Sequence, residues 1–168
     1  GWNAEAASKL AFYNEGGSKA SITTQWSGDA NPKIWNRANI NNWDLAWGSV
    51  TDGETAAEGD LVNSGANAFV CPEKGAYYTL TIDMSSKKYS WTKLDNQEPQ
   101  AFTYVSIIGG FNDWKADVDM TQTAPHNWYL RHKFTAAAEM KFRADHKWTT
   151  SWGGQTAALA DMIYCAAA

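Results

Sequence analysis

Cysteine and proline are scarce in this chain of 168 residues, with 2 and 4 respectively. The two cysteines, Cys71 and Cys165, supply neither a disulfide framework nor a four-ligand zinc site. Long apolar runs are lacking too. The longest, Met162 to Ala168, falls far short of the ~20 residues that span a bilayer, so no transmembrane helix is expected. Charge of one sign never accumulates. Against 14 basic residues stand 18 acidic ones, a net charge of −4, which leaves no basic footprint for nucleic acid. No segment carries a strong 3.6-residue apolar period, and residues 4–10 allow at most a turn or two of helix. The chain opens on Gly1 with no signal peptide or lipidation motif, which reads as a mature form or a fragment.

Aromatics are abundant. The 10 Trp, 7 Tyr and 6 Phe exceed what two small cores need, so some of these rings are expected to work at a surface. A hydrophobic content of 44% argues against disorder. Apolar and polar residues alternate through Tyr78, Leu80 and Ile82, then through Tyr89 and Trp91, with a polar turn at Ser85 to Lys88. That is a β-hairpin over 77–93. Further strands are expected at 104–108, 128–134 and 140–143, and Gly16-Gly17 reads as a hairpin loop. Short strands at this spacing predict an all-β fold of antiparallel, Ig-like β-sandwiches.

The sequence repeats itself. With one inserted residue, Arg37, Ala38, Trp43, Trp47 and Gly48 match Arg143, Ala144, Trp148, Trp152 and Gly153. Gly1-Trp2-Asn3 falls against Gly110-Phe111-Asn112, and Phe69-Val70-Cys71 against Ile163-Tyr164-Cys165. The polar, proline-containing stretch 95–101 reads as a linker between a first module, 1–94, and a second, 102–168. The first copy lacks a strand before its glycine and the second lacks the closing hairpin, so each module is expected to be incomplete at one chain end. Cys71 and Cys165 then occupy equivalent strand positions, as small buried thiols.

The residues that point to chemistry are aromatic and basic. Lys141 and Arg143 share one face of a strand while Phe142 turns to the core. Trp148 follows in a polar loop, and Trp114 lies in another, Phe111 to Lys115. Two exposed indoles with a lysine suit a sugar: the ring covers the C–H face of a pyranose and the ammonium donates to hydroxyls. Trp47 and Trp152, each beside a glycine, read as framework. For Trp43 and Trp148 platform and core both stay open. Catalysis finds less support. Neither copy repeats a carboxylate pair of the kind that glycoside hydrolysis requires, and His126, His132 and His146 all lie in the second copy. No zinc spacing, nucleophile elbow or phosphate loop is present, so no catalytic residue, metal or cofactor is assigned.

Three segments, Ile107 to Trp114, Met140 to Ala144 and Trp148 to Gly153, together with Trp43 to Gly48 and Gly75 to Asp83 of the first copy, resemble the starch-binding modules of SusE/SusF-type outer-membrane lipoproteins of Bacteroidota. The resemblance implies tandem, non-catalytic modules exposed at the cell surface, with the membrane reached only through an anchor outside this chain. It implies a site of Trp114, Lys141 and Trp148 in the second copy. In the first copy Trp43 matches Trp148, Trp35 takes the place of Lys141, and Trp2 lies near the place of Trp114. The leading reading is binding of starch or a related α-glucan. One alternative is a structural or accessory subunit of a SusC/SusD-like outer-membrane complex with its sugar sites lost. Another is an accessory module of a glycoside hydrolase.

Overall fold

The computed structural model describes residues 10–26, 31–63, 67–94 and 101–154. Trp2, Cys165, residues 4–9 of the short helix expected at 4–10 and the linker residues 95–100 lie outside them. In chain order the strands are β1 (Tyr13–Gly16), β2 (Lys19–Gln25), β3 (Trp47–Ser49), β4 (Glu58–Asn63), β5 (Tyr77–Asp83), β6 (Lys88–Lys93), β7 (Val105–Gly109), β8 (Val118–Asp119), β9 (Thr121–Ala124), β10 (Asn127–Tyr129), β11 (Met140–Ala144) and β12 (Ser151–Trp152). The fold is all-β and of the sandwich class, and its regular helix is confined to three short 3₁₀ turns among the described residues. Two compact units arise, Gly1–Glu98 with Thr123–Asn127, and Pro99–Gln122 with Trp128–Ala168.

The first unit holds a six-stranded sheet in the order β1-β2-β5-β6-β4-β3. The period-2 pattern of β5 decides which side faces inward. Tyr78, Leu80 and Ile82 are buried and their neighbours are not. They pack with Ile22, Trp26, Ile34, Leu61, Phe69, Cys71, Tyr89 and Trp91. Trp26 meets Trp91 edge to face at 4.8 Å and donates its indole N–H to the Tyr78 carbonyl at 2.9 Å, so its one polar atom is satisfied inside the core. The β5–β6 turn forms where its residues demand it. The Asp83 carboxylate accepts from the Ser18 hydroxyl and from the Ser85 hydroxyl and amide, which holds its pKa well below the usual carboxylate range. Cys71 is a buried free thiol, and burial pushes its pKa up.

The second unit contains a four-stranded sheet in the order β12-β11-β7-β8. Every residue of β7 is buried, as its near-continuous apolar run requires of a central strand. It pairs antiparallel with β11, Ile107 opposite Phe142 and Ser106 opposite Arg143. The strand expected at 128–134 is shorter than its composition suggests. Only Asn127–Tyr129 is extended in a ladder with β9. His132 and Phe134 instead form a ring cluster with Phe111, at 4.8–5.3 Å between centroids, so side-chain packing replaces backbone pairing there. The framework reading of Trp152 is also corrected: it is 42% exposed, because β12 is an edge strand. Trp47 is half-buried against the first core, as expected.

Candidate functional site

Strand β11 is the base of the site in the second unit. Lys141 and Arg143 emerge on one face and half-buried Phe142 on the other. The aliphatic stem of Lys141 runs beside Gly153, whose missing side chain leaves that space open. Arg143 is held firmly. Its Nε donates to Asp117 Oδ1 at 2.6 Å and its Nη2 to Oδ2, a two-pronged pair in which each side chain is only 12% exposed. Asp117 also accepts from the Ser106 hydroxyl at 2.5 Å. On its other side the guanidinium carbon lies 4.7 Å from the centre of the Trp148 ring.

Two loops bring the indoles together. After β7 a 3₁₀ turn, Gly110–Asn112, is closed by its own Asn112, whose side chain accepts from the Gly109 amide and donates to the Ala116 carbonyl. Asp113 and Trp114 then both take left-handed backbone, φ 56° and 59°. After β11, Asp145 and His146 do the same, φ 50° and 56°. The Asp145 carboxylate fixes that bend by accepting from the amides of Thr103 and Tyr104. His146 stacks on Tyr104 at 4.8 Å and pairs with Asp119. The result is two solvent-facing rings, Trp114 at 39% and Trp148 at 52% exposure, with centroids 6.1 Å apart and planes inclined at 41°. The structure therefore joins Trp114 and Trp148, with Lys141 on the Arg143 face of β11.

Left-handed backbone disfavours a large L residue by roughly 1–2 kcal/mol. Trp114 bears that strain at an exposed position, which stability alone would not select. Trp114→Gly is therefore expected to change the stability of the second unit by no more than about 1 kcal/mol. A tryptophan serving as core would cost several times more. Denaturant melts followed by near-UV dichroism measure the difference.

Hydrogen bonds from Arg143, outweighing burial, hold the Asp117 carboxyl below its ordinary value of 3.8, with Ser106 adding to them. A depressed folded pKa gives stability that is complete above the unfolded value and lost as the pH falls through the folded one. The second unit should thus lose stability below about pH 4. An acid titration of Asp117→Asn should show a shallower loss over the same window than the parent chain.

The first unit repeats the arrangement with different residues. Ile34 bridges Trp47 as Phe142 pairs with Trp152. In this register Lys33 takes the place of Lys141 and Trp35 that of Arg143. The surroundings agree: a side chain at Gly48 would meet the Lys33 ammonium, and one at Gly153 would meet the Lys141 stem. Trp35 stands 4.7 Å from Trp43, just as Arg143 stands 4.7 Å from Trp148. Trp35 thus does not replace the lysine, and the match of Arg37 to Arg143 dissolves, since Arg37 opens an exposed 3₁₀ turn. The sequence alignment placed one inserted residue where the paired strands require three, because two chance identities outweighed the gap. Trp43, 38% exposed, faces solvent. Trp35 is half-buried and ties its indole N–H to the Asn42 carbonyl at 2.9 Å. Lys33 donates to the Asn67 carbonyl at 2.5 Å, and burial lowers its pKa.

Sequence reasoning missed three contributors: Asp117, the bracing role of Arg143, and Lys33. A basic residue two before the ring-bracing position, in Lys33-Ile34-Trp35 and Lys141-Phe142-Arg143, was the available signal. Three carboxylates of the second unit are engaged in its fold, Asp117 on Arg143, Asp119 on His146 and Asp145 on backbone amides. Among the described residues no group of His, Cys, Asp and Glu could hold a metal ion.

An all-β module with solvent-facing indoles is compatible with the class of carbohydrate-binding modules. The model of the family described as "SusF, first starch specific CBM" matches residues 1–93, more than half of the chain, and the chain belongs to that family. Residues 1–93 are thus a module of the carbohydrate-binding, non-catalytic type. Among solved structures the chain is similar to SusF from Bacteroides thetaiotaomicron, at 18% identity and a TM-score of 0.41, over 81% of this chain and 32% of that one. The chain thus spans about a third of that protein's length. No curated protein matches it.

Proposed function

We propose that the chain binds starch or a related α-glucan, and that Trp114, Trp148 and Lys141 form its site in the second unit. The observation that carries this reading is the exposed Trp114–Trp148 pair, inclined at 41°. Two non-coplanar rings suit a polymer that curves from one glucose to the next, as α-1,4-glucan does, better than a flat ribbon such as cellulose. Apolar ring faces cover the C–H faces of successive sugars, and the Lys141 ammonium donates to their hydroxyls. In the first unit Trp43 is the corresponding platform, braced by Trp35, with Lys33 as its cation. Trp2 lies outside the described residues.

Binding of this type adsorbs polymer and leaves it intact. In this reading it serves a protein at the cell surface that keeps glucan near uptake machinery; the family's starch-specific description supports the ligand. Affinity electrophoresis through gels containing amylopectin or a soluble cellulose derivative tests the ligand class. Retardation by amylopectin alone is expected. Equal retardation in both gels would remove the preference for curved chains, and none in either would remove the sugar reading.

A further inference from the structure

We infer that Asp117 is a positioning residue for the Trp148 indole, acting through Arg143. The inference rests on the sugar-platform reading above. An exposed tryptophan in a loop ordinarily samples several rotamers, and ordering it on binding lowers affinity. Here the ring has a planar brace. A lone arginine at that position would turn its charge to water. The two-pronged pair with Asp117 fixes the guanidinium instead, with its carbon 4.7 Å from the centre of the Trp148 ring. The third partner of Asp117 is the hydroxyl of Ser106, fully buried on the central strand β7. The platform is thereby tied to the core of its own unit through Ser106, Asp117 and Arg143. Asp117 supplies order to the ring without serving as a sugar ligand.

Trp114 and Trp148 lie close enough for their indole transitions to couple, so circular dichroism of the unliganded chain should show an exciton couplet that Trp148→Phe removes. Asp117→Asn and Arg143→Lys are then compared with the parent for the couplet and for maltoheptaose affinity. Arg143→Lys keeps the ion pair but loses the planar fork. Both variants are expected to fold, to lose the couplet, and to bind about tenfold more weakly. A folded variant that binds within twofold of the parent overturns the inference. Should Asp117→Asn fail to fold, Arg143→Lys decides alone. Should the parent show the couplet but bind no glucan, the sugar reading fails, and survival or loss of the couplet in the variants still decides whether Asp117 positions the ring.

Discussion

Replacing Trp148 by alanine is expected to weaken α-glucan binding about thirtyfold, the loss of about 2 kcal/mol typical when a dominant aromatic side chain is truncated. The ring is 52% exposed and its main partners are Trp114 and the Arg143 guanidinium. Its removal opens no cavity in the core. Stability should fall by only about 0.5–1 kcal/mol, the worth of an exposed cation–π interaction. Binding and stability should therefore separate cleanly. Lys141→Ala should act in the same direction with a smaller effect, since a solvated ammonium contributes less than a covered ring. Titration calorimetry with maltoheptaose, paired with a thermal melt, measures both quantities. Equal affinity in parent and Trp148→Ala would assign the indole to a different task.

Gly109→Ala should have the largest effect on the second unit, and through its fold rather than its surface. An added methyl group would stand 2.3 Å from the Glu139 carbonyl oxygen and 2.9 Å from the Met140 Cα, both backbone atoms that cannot turn aside. Gly109 ends β7 opposite Met140 of β11, so the clash falls between the central strand and the strand that bears Lys141 and Arg143. It also lies at the root of the Trp114 loop, where the Trp114 amide donates to the Gly109 carbonyl at 2.9 Å. Overpacking of this kind costs about 2–3 kcal/mol. The expected result is a clearly lower melting temperature of the second unit together with loss of glucan binding at its site, where Trp148→Ala impairs chiefly the binding. Gly110→Ala provides the contrast. Its nearest neighbour is the Ala138 methyl at 3.5 Å, an ordinary van der Waals separation, and its stability should barely move.

The fold was legible where a period of two was unbroken. The hairpin of β5 and β6 announced itself through Tyr78, Leu80, Ile82, Tyr89 and Trp91, all of which face the first core. Strand β7 was legible for a different reason, since a run buried on both faces needs no alternation. The segment after Tyr129 misled because aromatic residues favour strands and also favour one another. Phe111, His132 and Phe134 chose the ring cluster. Within the candidate site, Trp114 and Trp148 were noticed as rings in polar loops, with a core role still open for Trp148, and Lys141 only for its place ahead of Trp148. Asp117 did not stand out. Its meaning comes from a pairing 26 positions away, across a sheet whose register no local pattern reveals. The register error in the first unit has the same origin. Only strand pairing shows that Lys33 and Trp35, and not Trp35 and Arg37, match Lys141 and Arg143.

The inclined Trp114–Trp148 pair as a platform for α-glucan is the central claim. Calorimetric titration of the intact chain with maltoheptaose, with tryptophan fluorescence followed in the same samples, tests it most directly. Saturable binding in the micromolar-to-millimolar range is expected, with a fluorescence change that follows the heat. A Trp114→Gly/Trp148→Ala double variant that still folds should lose the second unit's share of both signals, leaving only the titration of the first unit's Trp43 platform. A folded parent chain that releases no heat and shows no fluorescence change up to millimolar sugar would contradict it.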